Sequence, residues 1–339
     1  MEARPSVHTA AGRLRKSAKP GYPAARFRMK FTRSVLYSDA LLVLTAAIWG
    51  FAFVAQRVGM DDLGPFAFNA VRYAIGALVL LPLIRQRRKA AGATAAAAMV
   101  AGAADLPVRP AGLRRFLPFI ITGCVMFLGA TLQQLGLVTT TAGNAAFVTS
   151  LYVVIVPLLG SFFGRKNSLK NYLAALISVA GLYIITVGGG FKVAPGDLLV
   201  LAGSLFWACH ILVIDHFAPR VDSVELSAGQ FAVCGALSFA AALVFEPQPF
   251  DGILSAAVPL LYGGIFSCGV AFTLQIVAQR SAPPAHASIL LAFEGLFGAL
   301  GGVLLLGEPA TLRLFAGGGL MLAAAIFSQL PDRKPASRR

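Results

Sequence analysis

A carboxyl group, a guanidinium and a few amides stand inside long apolar runs of this chain, where polar side chains mark either function or packing. Glu294 lies about ten residues into the run that opens near 285, close to mid-membrane, where a charged carboxylate is expensive. A carboxyl group there that is neutral in one state and charged in another is what proton coupling requires. A permanently neutral carboxyl, hydrogen-bonded across helices, is the structural alternative. Arg72 sits seven residues in from Pro65. It fits an anion or carboxylate clamp, a partner for Glu294, or a side chain snorkelling to the surface. Asn69, three residues earlier, shares its helix face. Gln133 and Gln275 are amides within apolar runs, and each must face protein or a wet cavity. Cavity lining and bonding between helices both satisfy that demand. Trp49, Phe53 and Gln56 follow the i, i+4, i+7 spacing of one helix face, which suits a binding wall or plain packing. His210 has the titration range of a proton relay and also fits a satisfied core histidine. His286 lies at the mouth of its helix.

These residues need long apolar helices to hold them. The chain has 339 residues, 57% hydrophobic and 13% charged. Soluble domains carry about 25% charged residues, so this balance belongs to a membrane protein. Ten apolar segments, each near the ~20 residues of a membrane-crossing helix, run at 38–56, 65–84, 116–137, 143–163, 169–187, 196–214, 224–245, 254–277, 285–306 and 311–330. Their length and lack of alternation favour helices over barrel strands. The cysteines Cys124, Cys209, Cys234 and Cys268 all fall inside these runs and read as free, packed thiols. Gly298 with Gly302, and Gly317 to Gly319, allow close helix packing.

The chain repeats itself. A shift of 142 residues aligns Thr131-Leu132-Gln133 with Thr273-Leu274-Gln275, Ala145 with Ala287, Leu158 with Leu300 and Gly160 with Gly302. A shift of 158 aligns Asp39 with Asp197 and Trp49 with Trp207, the two tryptophans of the chain. The difference falls at 85–115, a basic segment with an Ala/Gly-rich middle that reads as a flexible cytoplasmic linker. The expected architecture is an all-α membrane protein of ten transmembrane helices in two five-helix repeats, 38–187 and 196–330. They are flanked by a basic, disordered tail at 1–37 and a short tail at 331–339. Met29-Lys30 fits a second candidate start. With the amino terminus inside, 25 of the 29 basic residues lie on the cytoplasmic side, while Arg57, Lys192 and Arg313 lie outside. Both termini are then cytoplasmic. An odd number of spans per repeat makes the two copies inverted.

The stretch from Asp39 to Ile84, with Trp49-Gly50, Gln56, Pro65 and Arg72, resembles the opening of EamA-type members of the drug/metabolite transporter superfamily. Gly196-Asp197, Trp207, Glu294 and Leu305-Leu306-Gly307-Glu308-Pro309 resemble the same family in the second half. The resemblance spans roughly 38–330. It implies an exporter-like ten-helix fold in the inner membrane and a substrate that is a small metabolite, amino acid or drug. Two positions depart from the family. Gly295 stands where many relatives follow the carboxylate with Pro, and Lys166 stands where the repeat alignment would put a partner for Glu308. The resemblance therefore carries less weight for a kinked ninth helix and for a shared substrate.

No catalytic constellation, metal-ligand spacing or phosphate-binding loop appears in the sequence; Gly188-Gly189-Gly190 lacks the lysine that such a loop needs. No cofactor is expected. The net charge of +15 is spread over loops rather than gathered in an aromatic-laced patch, which argues against nucleic acid. The expected partners are a small-molecule substrate, the lipid bilayer and protons, with homodimerisation left open. The leading reading is a proton- or gradient-driven transporter. A membrane-embedded enzyme or lipid-handling scaffold would need clustered His or carboxylate groups at one interface. A passive channel would need a continuous polar stripe.

Overall fold

The computed structural model describes residues 33–100, 112–186, 194–306 and 310–330. The tail before 33, Lys192, the glycines at 188–190, Glu308 and the stretch after 330 lie outside the described residues. Every regular element among the described residues is helical. In chain order they are α1 (Arg33–Gly59), α2 (Pro65–Val100), α3 (Leu117–Leu137), α4 (Ala142–Phe162) and α5 (Leu169–Thr186), then α6 (Pro195–Phe217), α7 (Ser223–Phe245), α8 (Ala257–Gln279), α9 (Pro284–Leu305) and α10 (Leu312–Gln329). Nine of these are long and apolar enough to cross a bilayer, and the apolar part of α5, Leu169–Ile184, is the shorter tenth. The protein is a ten-helix membrane protein.

The segment at 85–115 departs from the flexible linker that its composition suggests. Helix α2 runs on through Val100, and a single 3-10 turn, Gly112–Arg115, precedes α3. An alanine-rich sequence is a strong helix former once a helix is already running into it. Ion pairs from Arg87 to Asp222 and from Arg88 to Glu225, both 2.8 Å, fasten the extension to the start of α7. Residues 101–111 of the expected linker lie outside the described residues. Helix α1 likewise begins at Arg33, inside the segment expected to be tail.

Like helices of the two halves pair, and unlike helices cross over. Helix α2 packs against α7, the second helix of each half, and α5 packs against α10, the fifth of each. The first helix of each half, α1 or α6, packs against the third and fourth helices of the other. Asp39 near the start of α1 accepts from Gln329 and lies 2.9 Å from His286 Nε2 in the first turn of α9. Asp197 near the start of α6 accepts from Thr140 Oγ1, just ahead of α4. The two repeat-equivalent aspartates thus do equivalent work, each tying the first helix of one half to the fourth of the other. His286, placed by the sequence at the mouth of its helix, is a buried member of the first of these ties, with Ser328 2.8 Å from its other ring nitrogen.

Glycines set how closely these helices meet. A Cβ on Gly50 would lie 2.5 Å from Phe297 Cβ, 2.7 Å from the Gly298 nitrogen and 2.8 Å from the Glu294 oxygen, so α1 rests directly on the α9 backbone. Two of those three neighbours are main chain and cannot rotate away. Gly50→Ala is therefore expected to cost about 1–3 kcal/mol, the usual range for overpacking. A thermal melt of the detergent-solubilised protein would read this as a lowered midpoint. Gly319→Ala, where nothing lies within 4 Å of the added Cβ, serves as the neutral control.

Candidate functional site

Both fourth helices are interrupted part-way along their length. Helix α4 breaks at Leu151, between Ala142–Ser150 and Tyr152–Phe162, and α9 breaks at Ala292, between Pro284–Leu291 and Phe293–Leu306. At each break backbone bonds tighten to the i→i−3 pattern, Leu151 N–H to Val148 O and Val154 N–H to Leu151 O in α4, and Gly295 N–H to Ala292 O in α9. The interruption in α9 needs no proline beside Glu294, and it places that carboxyl group in the first turn of the second half-helix. The 142-residue shift makes Tyr152 the counterpart of Glu294. Each lies just past the break of its helix, and the buried Tyr152 hydroxyl has no hydrogen-bond partner. Ser150 Oγ approaches Glu294 Oε1 at 3.4 Å.

Helix α8 carries a second irregularity, a π-helical stretch over Tyr262–Phe272. Glycines let α2 press against it: a Cβ on Gly264 would lie 2.5 Å from Ile75 Cβ, and one on Gly76 would lie 2.6 Å from Cys268 Cβ. π-Helical turns concentrate at functional sites; this one carries Ser267 and Phe272 to the centre of the molecule, and Gln275 follows in the α-helical turn beyond it.

Between the halves lies a small cavity of about 40 Å³. It brings together Trp49, Phe53, Gln56, Arg72, Gln133, His210, Gln275 and Glu294, eight of the nine residues that the sequence marks for substrate binding or proton coupling. The ninth, Asn69, is fully buried behind the wall, where its Oδ1 accepts from Arg72 Nε at 2.9 Å. Asn69 positions the guanidinium rather than lining the cavity. The sequence reading did not anticipate Tyr73, Thr149, Tyr152 or Phe272, nor that Trp207 is more than a repeat marker.

The polar groups fall into two sets. In one, Trp207 Nε1 donates to Gln133 Oε1 at 2.8 Å, and Gln133 Nε2 donates to Gln56 Oε1 at 3.3 Å. The Gln56 amide then donates back to Ala52 O at 3.2 Å, which closes the chain on α1. In the other, Arg72 donates to Asn69 and, at 3.2 Å, to the Tyr73 hydroxyl, with its guanidinium 4.6 Å from the Tyr73 ring centroid. Among the described residues no carboxylate lies within 4.0 Å of it. A guanidinium 2% exposed without an anionic partner is costly, and a ligand anion in the cavity would relieve that cost. Gln275 adds a buried side-chain oxygen with no hydrogen-bond partner.

The aromatic wall is built from both halves. Phe272 lies between the repeat-equivalent tryptophans, 4.6 Å from Trp49 and 5.9 Å from Trp207 between ring centroids. His210 meets the same ring edge-on at 5.8 Å while its Nε2 lies 2.9 Å from Gln230 Oε1. His210 is thus hydrogen-bonded inside the protein and also borders the cavity. Apolar walls with a few placed polar groups are the ordinary make-up of a small-molecule site.

The model of the EamA-like transporter family matches the chain twice, over residues 36–187 and 194–329. An uncharacterized transporter of Archaeoglobus fulgidus is 31% identical over 297 residues, covering 87% of this chain and 86% of its own length. The uncharacterized transporter YoaV of Bacillus subtilis is 23% identical over 296 residues, covering 84% and 94%. The uncharacterized inner membrane transporter YedA of Escherichia coli is 22% identical over 267 residues, covering 77% and 79%. A solved crystal structure shares the fold with a TM-score of 0.65 at 20% identity, covering 86% of this chain and 96% of its own. The two family matches correspond to the two five-helix halves whose crossed packing forms the cavity, and the chain belongs to the EamA-like transporter family.

Proposed function

We propose that this protein is a secondary active transporter of the cell (inner) membrane that moves small metabolites, amino acids or drugs outward in exchange for protons. Its halves, 38–187 and 196–330, are inverted copies, and the central cavity opens alternately to the two sides. Both termini face the cytoplasm, in keeping with the excess of Lys and Arg on that side. Substrate lies against Trp49, Phe53 and Gln56, with Arg72, Gln133 and Gln275 as polar contacts and Asn69 holding Arg72 in place. Glu294 carries the coupling proton, and His210 is the second titratable group on the cavity wall.

The observation that carries this reading is the occurrence of Arg72 and Glu294 in one cavity between the halves, without an ion pair between them. A cation and an acid that had evolved only to stabilise the bundle would be expected to neutralise each other, given what either costs alone in a membrane. Held apart, each is available to a cargo. Sites between repeats at mid-membrane are where secondary transporters bind substrate. The test is reconstitution into proteoliposomes with a panel of labelled metabolites and an imposed pH gradient. At least one compound is expected to accumulate above its equilibrium level, and collapse of the gradient should abolish that accumulation. Flux that only equilibrates, whatever the gradient, would contradict proton coupling.

A further inference from the structure

A second, larger cavity lies beyond one end of the central one, and its lining is strongly basic. It has a volume of about 1200 Å³ and lies between the ends of α4, α6 and α8 and the start of α9. Three guanidinium groups, Arg165, Arg220 and Arg280, border it against the single carboxylate of Asp215. Asp215 is already committed, with its Oδ2 2.6 Å from the Arg165 guanidinium. Arg220 donates to the His216 carbonyl, and Arg280 donates to Ala218 O and Val221 O at 3.0 and 2.8 Å. Those carbonyls quench little of the charge, so a net positive field remains in a concave space with apolar walls, where field lines concentrate.

This vestibule adjoins the central cavity through a thin partition. Ile211 lines the central cavity and Leu212 the vestibule. Gln275 lines the first and Gln279, one helical turn along α8, the second, a separation of about 6 Å along the axis. Gln279 is 2% exposed, its amide donates to Ile211 O at 3.1 Å, and its side-chain oxygen has no partner. The opposite end of α6 lies hard against the end of α3. There a Cβ on Gly196 would lie 2.1 Å from the Gly136 oxygen, and Asp197 accepts from Thr140.

We propose that this vestibule is the antechamber of the central site, open on the cytoplasmic side, and that its three arginines select small organic anions for passage past Gln279 to Arg72. The inference deepens the transport reading, yet its test needs no transported substrate and so fails separately from that reading. Cys209 lies in the vestibule wall, half-buried, and reports the local field. In a variant keeping only Cys209, a sulfonate-bearing methanethiosulfonate and a trimethylammonium-bearing one are applied to inside-out and right-side-out vesicles. Rates are normalised to a free thiol. The anionic reagent should react about tenfold faster, from the cytoplasmic face alone, and Arg220→Glu or high salt should erase the preference. A preference for the cationic reagent, no response to Arg220→Glu, or labelling from outside would overturn the charge selection. The connection is read by Ser267→Cys, in the wall of the central cavity. Iodoacetate should reach it, and a bulky maleimide already on Cys209 should slow that reaction at least about fivefold. A thiol at 267 that never reacts, or reacts equally fast after the block, would overturn the antechamber.

Discussion

Glu294→Gln is expected to abolish accumulation of substrate driven by a pH gradient while leaving exchange of substrate across the membrane intact. Glutamine keeps the volume of the side chain and its approach to Ser150 Oγ, which lies 3.4 Å from Oε1, but cannot titrate. Exchange needs binding and reorientation with no net proton transfer, so it survives the change. Uphill movement needs the neutral-to-charged switch that biases the cavity between its two open sides, so it does not. Measuring both fluxes on the same proteoliposomes separates coupling from folding, because a misfolded protein loses both. Concentrative transport by the Gln variant with normal pH dependence would make Glu294 structural and move attention to His210.

Replacing Arg72 is expected to move function and stability in opposite directions. The guanidinium is 2% exposed, held by Asn69 and Tyr73, and has no carboxylate within 4.0 Å among the described residues. Removing a buried, unpaired cation in favour of an apolar side chain of similar volume is commonly neutral or stabilising. Arg72→Met should therefore leave the melting midpoint unchanged or raise it. Loss of a charge-assisted contact to a ligand costs roughly 2 kcal/mol or more, so apparent affinity for an anionic substrate should fall about 30-fold or beyond. Arg72→Lys keeps the charge but not the planar fork, and should recover part of that loss. A lowered midpoint together with unchanged affinity would reassign Arg72 to packing.

How much of this was legible in the sequence depends on which interactions set each feature. The spans could be read because a helix crossing a bilayer must be long and apolar, whatever its neighbours. Gln133, Gln275 and Glu294 could be read because amides and acids in such runs need an unusual environment, and here they share one cavity. The interruptions at Leu151 and Ala292 carry no proline at the break, and the π-helical stretch of α8 meets α2 through glycines remote from it in sequence. Neither leaves a local signal. Phe272 offered no signal at all, because one phenylalanine in an apolar run resembles the next until two tryptophans from opposite halves close on it. Tyr152 was readable in principle, since the repeat shift that pairs Gln133 with Gln275 also pairs it with Glu294. The helical extension of α2 was missed because alanine and glycine together suggest a linker, whereas a helix already formed propagates through alanine at little cost.

Alternating access around one cavity is the centre of this account, and two distances measured together test it most directly. Spin labels at Val138 and Ala194 bracket the contact of α6 with the end of α3, and labels at Phe163 and Ser281 bracket the vestibule. Pulsed dipolar distances are recorded for each pair in lipid at acidic and alkaline pH, with the Glu294→Gln variant alongside. The account predicts that the Val138–Ala194 distance lengthens under the condition in which the Phe163–Ser281 distance shortens, and that Glu294→Gln freezes both distributions against pH. Distances that lengthen together, or that shift with pH as fully in the Gln variant as in the wild type, would contradict it.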